Sequence, residues 1–205
     1  MAVTTRRRYS PRMPREQRRE QLLDVALELL SAHGFGGLTM EGVAREAKIA
    51  KPVVYDLFGN REDLLWALLE REQERALADV AAAIPTSFDR DPLEILSESL
   101  GTVLEAVRAH PDTWRLILLP AEGTPPAVRT AVDGHRDRLV QQIVPMVEWG
   151  VGQLGLSRLE PELTAETILA LFENAIRLTL TKPDSYPPQR IAAFVGELVA
   201  AITRE

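Results

Sequence analysis

The stretch from Leu38 to Leu65, LTMEGVAREAKIAKPVVYDLFGNREDLL, is the strongest constraint on the fold, because it holds two short amphipathic segments meeting at a tight turn. Met40, Val43, Ala44 and Ala47 fall at helical spacing behind Thr39, an N-cap residue; after Ile49 a second set, Val54, Leu57 and Phe58, recurs at i, i+3 and i+4. The pattern predicts a helix, a turn and a helix. The second helix, about Lys51 to Phe58, is too short to stand alone, so packing must hold it with Ile49, Val54, Leu57 and Phe58 inward. Lys51, Pro52, Val53, Tyr55 and Asp56 are then left outside. A short helix pinned on one face and presenting a cation, a small apolar group, a phenol and a carboxylate on the other suits the major groove of DNA.

Binding a polyanion requires cations in the right place. The formal net charge of -6 is unevenly spread: residues 1–61 carry 11 Lys/Arg against 7 Asp/Glu, and residues 62–205 carry 13 against 23. Two of the three lysines, Lys48 and Lys51, lie in the helix-turn-helix itself. An acidic protein with a basic front end can still bind a polyanion, since local potential steers the encounter. At 205 residues and 45% hydrophobic, the chain can bury a core as one compact unit or two closely joined ones. The absence of cysteine excludes a disulfide framework, a thiolate metal site and a thiol nucleophile, and fits a reducing cytoplasm. RRRYSPRMPR lacks the apolar core of a twin-arginine leader, so no secretory leader is expected. No window reaches transmembrane length without charges, so no membrane partner is expected either.

Residues 1–15 hold Arg6, Arg7, Arg8 and Arg12 among prolines with no apolar period, which predicts a flexible arm. Such an arm can lie along phosphates or enter an A·T-rich minor groove, and the plain alternative is a solubilising tail. Helix 1 is predicted over about 15–33, with Leu22, Leu23, Ala26, Leu29, Leu30 and His33 on one face and Gly34 as its left-handed stop. His33 reads as a packed or capping histidine. Phe35 turns back onto that face, and GFGG, with no preceding strand, is a tight turn and no phosphate loop.

The run from Gln21 to Leu69 resembles the DNA-binding region of the TetR (tetracycline-repressor) family of transcriptional regulators. The resemblance rests on Gly34-Phe35 before Thr39, on Val43-Ala44 and Ala47 in helix 2, on Tyr55 and Phe58 in helix 3, and on Arg61-Glu62 at the start of helix 4. It covers about a quarter of the chain. By this resemblance Thr39, Tyr55 and Arg61 hold phosphates, while Lys51, Val53 and Asp56 face base edges. The chemistry agrees: hydroxyl, phenol and guanidinium donate to phosphate, whereas lysine can reach guanine, a valine methyl can meet a thymine methyl, and aspartate can accept from cytosine. Arg45, on the outer side of helix 2, can reach the backbone. Lys48 stands where the family turn has glycine, Ala50 where a serine or threonine cap is common, and Gly42 where a glutamate would complete a capping box with Thr39. Pro52 in the first turn of helix 3 costs little, since its missing N–H would be orphaned anyway.

Helix 4 is predicted to open at Asn60, with Asp63 as a capping-box variant, and to run to Ala83 as a lever between the reading head and the rest. Its far half, EREQERALAD, is highly charged. Helix 5 follows over Leu93–Ala109, a short apolar helix 6 over TWRLILL, and helix 7 from about 126 with Val128, Val132, His135, Leu139, Ile143 and Met146 in one stripe. Pro145 should kink it. Helices 8 (161–181) and 9 (188–203) are apolar over more arc than one core face needs. Burial from two sides, by this subunit and by a copy, predicts a homodimer joined by a four-helix bundle, which the resemblance also implies. Its interface residues would be Ile168, Leu171, Phe172, Ala175, Ile191, Phe194, Val195 and Leu198.

No enzyme constellation survives inspection. The three histidines, His33, His110 and His135, fit no metal spacing, and GxSxG and GxxxxGK are absent, so no catalytic residue, metal or cofactor is expected. A small-molecule cavity is expected, chiefly by family analogy, where polar groups interrupt apolar stripes: His135, Asn174 and Arg177, with Trp114, Trp149 and Phe172 as apolar walls. Singly, Trp114 and Phe172 read as core, and Arg177 as a surface partner of Glu173. The chain thus reads as an all-α regulator with an arginine-rich arm (1–15), a helix-turn-helix DNA-binding domain (16–60) and a ligand-binding and dimerisation domain (61–205). Its expected partners are a double-stranded operator and an apolar or amphipathic effector that releases it. The competing reading is a helical ligand-binding or scaffold protein whose helix-turn-helix contacts protein.

Overall fold

Prolines, glycines and capping side chains punctuate the chain, and the helices fall between them. The computed structural model describes residues 13–85, 87–119, 124, 126–156 and 158–203. Among them are α1 (Arg15–Gly37), α2 (Met40–Glu46), α3 (Lys51–Phe58), α4 (Arg61–Ala83), α5 (Pro92–Ala109), α6 (Pro111–Leu118), α7 (Pro126–Gln153), α8 (Pro161–Thr181) and α9 (Pro188–Thr203), with no strand. The expected arm residues Arg6, Arg7, Arg8 and Arg12 lie outside the described residues.

Gly34 breaks α1 as expected. Its φ of 67° and ψ of -174° are non-helical, and a Cβ would strain that φ. The turn returns Phe35 to the core at 3% exposure. His33, expected on the packed face, is exposed instead, because it sits in the last turn before the break. Thr39 caps α2, its Oγ1 accepting from Gly42 N–H at 2.9 Å. Gly42 is also a point of close approach: a Cβ there would lie 2.8 Å from Thr39 Oγ1. At α4, Asn60 accepts from Asp63 N–H at 3.0 Å and donates to the Asp63 carboxylate at 2.7 Å, a two-way cap.

Leu22, Leu23, Val43, Val54, Leu64 and Leu68 are fully buried in a first core shared by α1, α2, α3 and the opening half of α4, with Leu116 of α6 and Val128 of α7 added. Each such side chain contributes roughly 1.5–3 kcal/mol of burial. A second core joins α5, α6, α8 and α9 around Leu100, Leu104, Val107 and Ile176. A third, smaller one lies between α7 and α8. Helix α9 packs mainly on α5, where Gly101 faces Ala192 and Gly196 faces Ser97, a small-residue seam that lets the backbones close.

Helix α7 runs unbroken through Pro145. The proline is exposed, so the carbonyl it orphans one turn back, at the exposed Gln141, can turn to water. Three of the side chains expected at a dimer interface belong to the chain's own core: Ala175, Ile191 and Val195 are 3%, 7% and 5% exposed. A side chain already buried in one subunit has little left to give a second. Ile168, Leu171 and Phe172 are half-buried within the same subunit, while Phe194 and Leu198 remain exposed at 62% and 39%.

Candidate nucleic-acid interface and effector cavity

Helix α3 has no side-chain cap at Ala50, and Pro52 in its first turn pre-sets the backbone without wasting a donor. Its hold comes from its buried face. Val54 and Phe58 enter the first core, and the Arg19 guanidinium of α1 lies 5.7 Å from the centre of the Phe58 ring. The opposite face carries Lys51, Pro52, Val53, Tyr55 and Asp56, all exposed. Two of them converge on α2: Lys51 Nζ lies 3.6 Å from Glu41 Oε1, and Tyr55 donates its hydroxyl to the same oxygen at 3.4 Å. A hydrogen bond from its own backbone, then the Lys51 charge, holds the Glu41 carboxyl below the usual carboxylate range. Asp56 faces Arg15 at 3.8 Å, and Arg15 Nη2 donates to the Asp56 carbonyl at 3.1 Å.

The remaining expected contacts lie around this face. Arg45 is exposed beside Glu46 at 3.6 Å, and Lys48, at φ 55°, is exposed in the turn. Thr39 Oγ1 accepts from its own helix, so its hydroxyl proton is free to turn outward. Arg61 has a further job not anticipated from the sequence: its Nε donates to Leu38 O at 2.6 Å and its Nη2 to Phe35 O, which ties the α1–α2 loop to the start of α4.

Between α4 and α8 lies a cavity of about 810 Å³, within the roughly 300–1,000 Å³ that hold small ligands. The whole α7 stripe, Val128, Val132, His135, Leu139, Ile143 and Met146, lines it. Trp114, Trp149, Phe172 and Arg177 line it as well, as do Ile168, Leu171 and Leu198. Asn174 does not: it is exposed on another face of α8. Glu173 pairs with Arg136 at 2.9 Å and leaves Arg177 aside; Arg136 also meets Glu166 at 2.8 Å. The Glu166 hydrogen bond, against partial burial, leads the rise of the Arg136 pKa above its ordinary value. His135 Nδ1 sits 2.7 Å from Ala131 O. Among the described residues, no cluster of three or more His, Asp or Glu could hold a metal ion, and no helix is long and apolar enough to cross a membrane.

A polar junction escaped the sequence reading. Glu72 of α4 is fully buried; its carboxylate accepts from Thr113 Oγ1 of α6 at 2.5 Å, Arg71 Nε at 2.7 Å and Arg75 Nη1 at 3.1 Å. Arg71 in turn reaches Asp24 at 2.9 Å and Glu20 at 3.2 Å on α1. The charges of EREQER thus join α1, α4 and α6. Only the contact partners, distant in sequence, distinguish them from a solvated face.

Comparison with known proteins agrees with this arrangement. Residues 22–68 match the bacterial regulatory proteins of the tetR family. The HTH-type transcriptional activator FasR of Mycolicibacterium smegmatis is 29% identical over 125 residues, 61% of this chain and 56% of FasR, so the chain spans about half the length of such curated relatives. A TetR-like transcriptional regulator from Rhodococcus sp. RHA1 superposes with a TM-score of 0.76 at 25% identity, covering 95% of this chain and all of that one, 100%. FadR of Bacillus subtilis, solved in complex with stearoyl-CoA, shares the fold at a TM-score of 0.66 and 18% identity, over 88% of this chain and 96% of its own. The chain thus carries a tetR-family helix-turn-helix at residues 22–68, on an all-helical fold similar to that of a TetR-like transcriptional regulator.

Proposed function

We propose that the protein is a dimeric one-component regulator, by default a repressor, that reads a pseudo-palindromic operator in the cytoplasm and acts by binding and not by catalysis. The observation that carries this reading is α3: a two-turn helix clamped on its buried face, with Lys51, Pro52, Val53, Tyr55 and Asp56 turned outward. Thr39, Arg45, Lys48, Tyr55 and Arg61 position phosphates, with the arm arginines reinforcing them; Lys51, Val53 and Asp56 read bases. Two such heads bind one helical turn of DNA apart, about 34–36 Å. An effector in the cavity moves α4, alters that separation and releases DNA.

The cavity's lining supports an apolar or amphipathic effector. The stearoyl-CoA held by FadR of Bacillus subtilis supports, by analogy of fold alone, a long acyl chain as its class. The test is binding to the DNA upstream of the protein's own reading frame at rising salt. Affinity should fall steeply, a long-chain acyl-CoA should dissociate the complex, and Lys51→Ala should cost about 1–3 kcal/mol of discrimination at a single base position. A flat salt dependence, or equal binding to any competitor DNA, would overturn the assignment.

A further inference from the structure

One buried polar side chain of the cavity holds a donor without a partner. Gln73 of α4 lines the cavity at 9% exposure, and its amide Nε2 is buried without a hydrogen bond. It interrupts an apolar stripe, between Leu69 one turn before and Ala76 and Val80 after it, where leucine or methionine would serve packing better. Asp133 and Arg177 of the lining are exposed to water, and other polar groups there are engaged within the protein. Ser99 Oγ donates to Ala83 O, Trp114 Nε1 to Asp79, and Arg136 to Glu166 and Glu173, while Thr164 and Thr167 bond back to their own helix. Gln73 is also the lining residue of α4 nearest the reading head, and it directly follows Glu72 of the buried junction.

We infer that the effector carries an oxygen acceptor within its apolar body and that the Gln73 amide receives it. Resting on the cavity being the effector site, this narrows the ligand class from an unsubstituted acyl chain to one that bears a further oxygen along its length. A buried amide N–H₂ discriminates strongly, because a chain that brings only methylenes to it leaves both donors dry, whereas a carbonyl satisfies one at once. The contact falls on the lever itself, one residue from the carboxylate that links α4 to α1 and α6.

The test uses the full-length protein and a saturated straight-chain fatty acid alongside its oxo analogues of equal length, the oxo group stepped along the chain, with affinities read by calorimetry. One oxo position should bind roughly tenfold more tightly than the parent chain. Gln73→Met, of the same length but without a donor, should abolish that preference and tighten the parent chain. Gln73→Glu, which replaces donors by acceptors, should disfavour the same oxo isomer. If the parent chain binds as well as every oxo analogue, and Gln73→Met leaves their ratio unchanged, the inference is wrong while the cavity reading stands. If no chain binds the wild type or Gln73→Met, both fall together.

Discussion

Lys48 adopts a backbone conformation that its side chain opposes. Its φ of 55° belongs to the left-handed region, which costs a Cβ-bearing residue about 1–2 kcal/mol. Lys48→Gly should therefore raise the unfolding free energy by about 1 kcal/mol in urea titration. If the ammonium meets a phosphate, the same change should flatten the salt slope of DNA binding by about one. A variant that is more stable yet binds less tightly would be the signature of strain retained for a cation. The anomaly was legible in the sequence as a lysine where the turn wants glycine. Glu41 was not: its meeting with Lys51 and Tyr55 depends on the angle at which α2 crosses α3, which spacing along either helix leaves open.

At the scale of elements, α4 shows where periodicity stops being informative. Its apolar half and its Asn60–Asp63 cap were readable from residue types alone, because caps are local. Glu72 was not readable, since its partners lie 41 residues ahead at Thr113 and, through Arg71, 47 residues behind at Asp24. A charged run on a helix looks the same whether water or another helix faces it. Thr113→Val keeps the shape and removes the donor to a buried carboxylate, and should cost about 1–3 kcal/mol in equilibrium denaturation. A loss within a few tenths of a kcal/mol would mean that Arg71 and Arg75 already satisfy the carboxylate.

For the whole molecule, the wide apolar arcs of α8 and α9 were correctly seen but only partly explained. An unfilled cavity and a second subunit leave the same mark on a sequence, an apolar side chain in excess of the core. Ile168, Leu171 and Phe172 turned out to face the cavity, whereas Phe194, 62% exposed, has no such account within the subunit. Phe194→Glu should therefore shift the protein toward monomer in sedimentation and weaken operator binding with it; an unchanged mass would remove α9 from the interface. The first core carries a different lesson, for anyone wishing to transplant specificity between regulators. Leu64, Leu65, Leu68 and Leu69 beyond the nominal boundary at residue 60, with Leu116 and Val128 from farther on, close the underside of the helix-turn-helix. A chimera cut at that boundary would exchange half of a shared interior for a stranger's, so a graft that keeps its fold has to carry the first three turns of α4 and redesign the α6 and α7 side chains it meets.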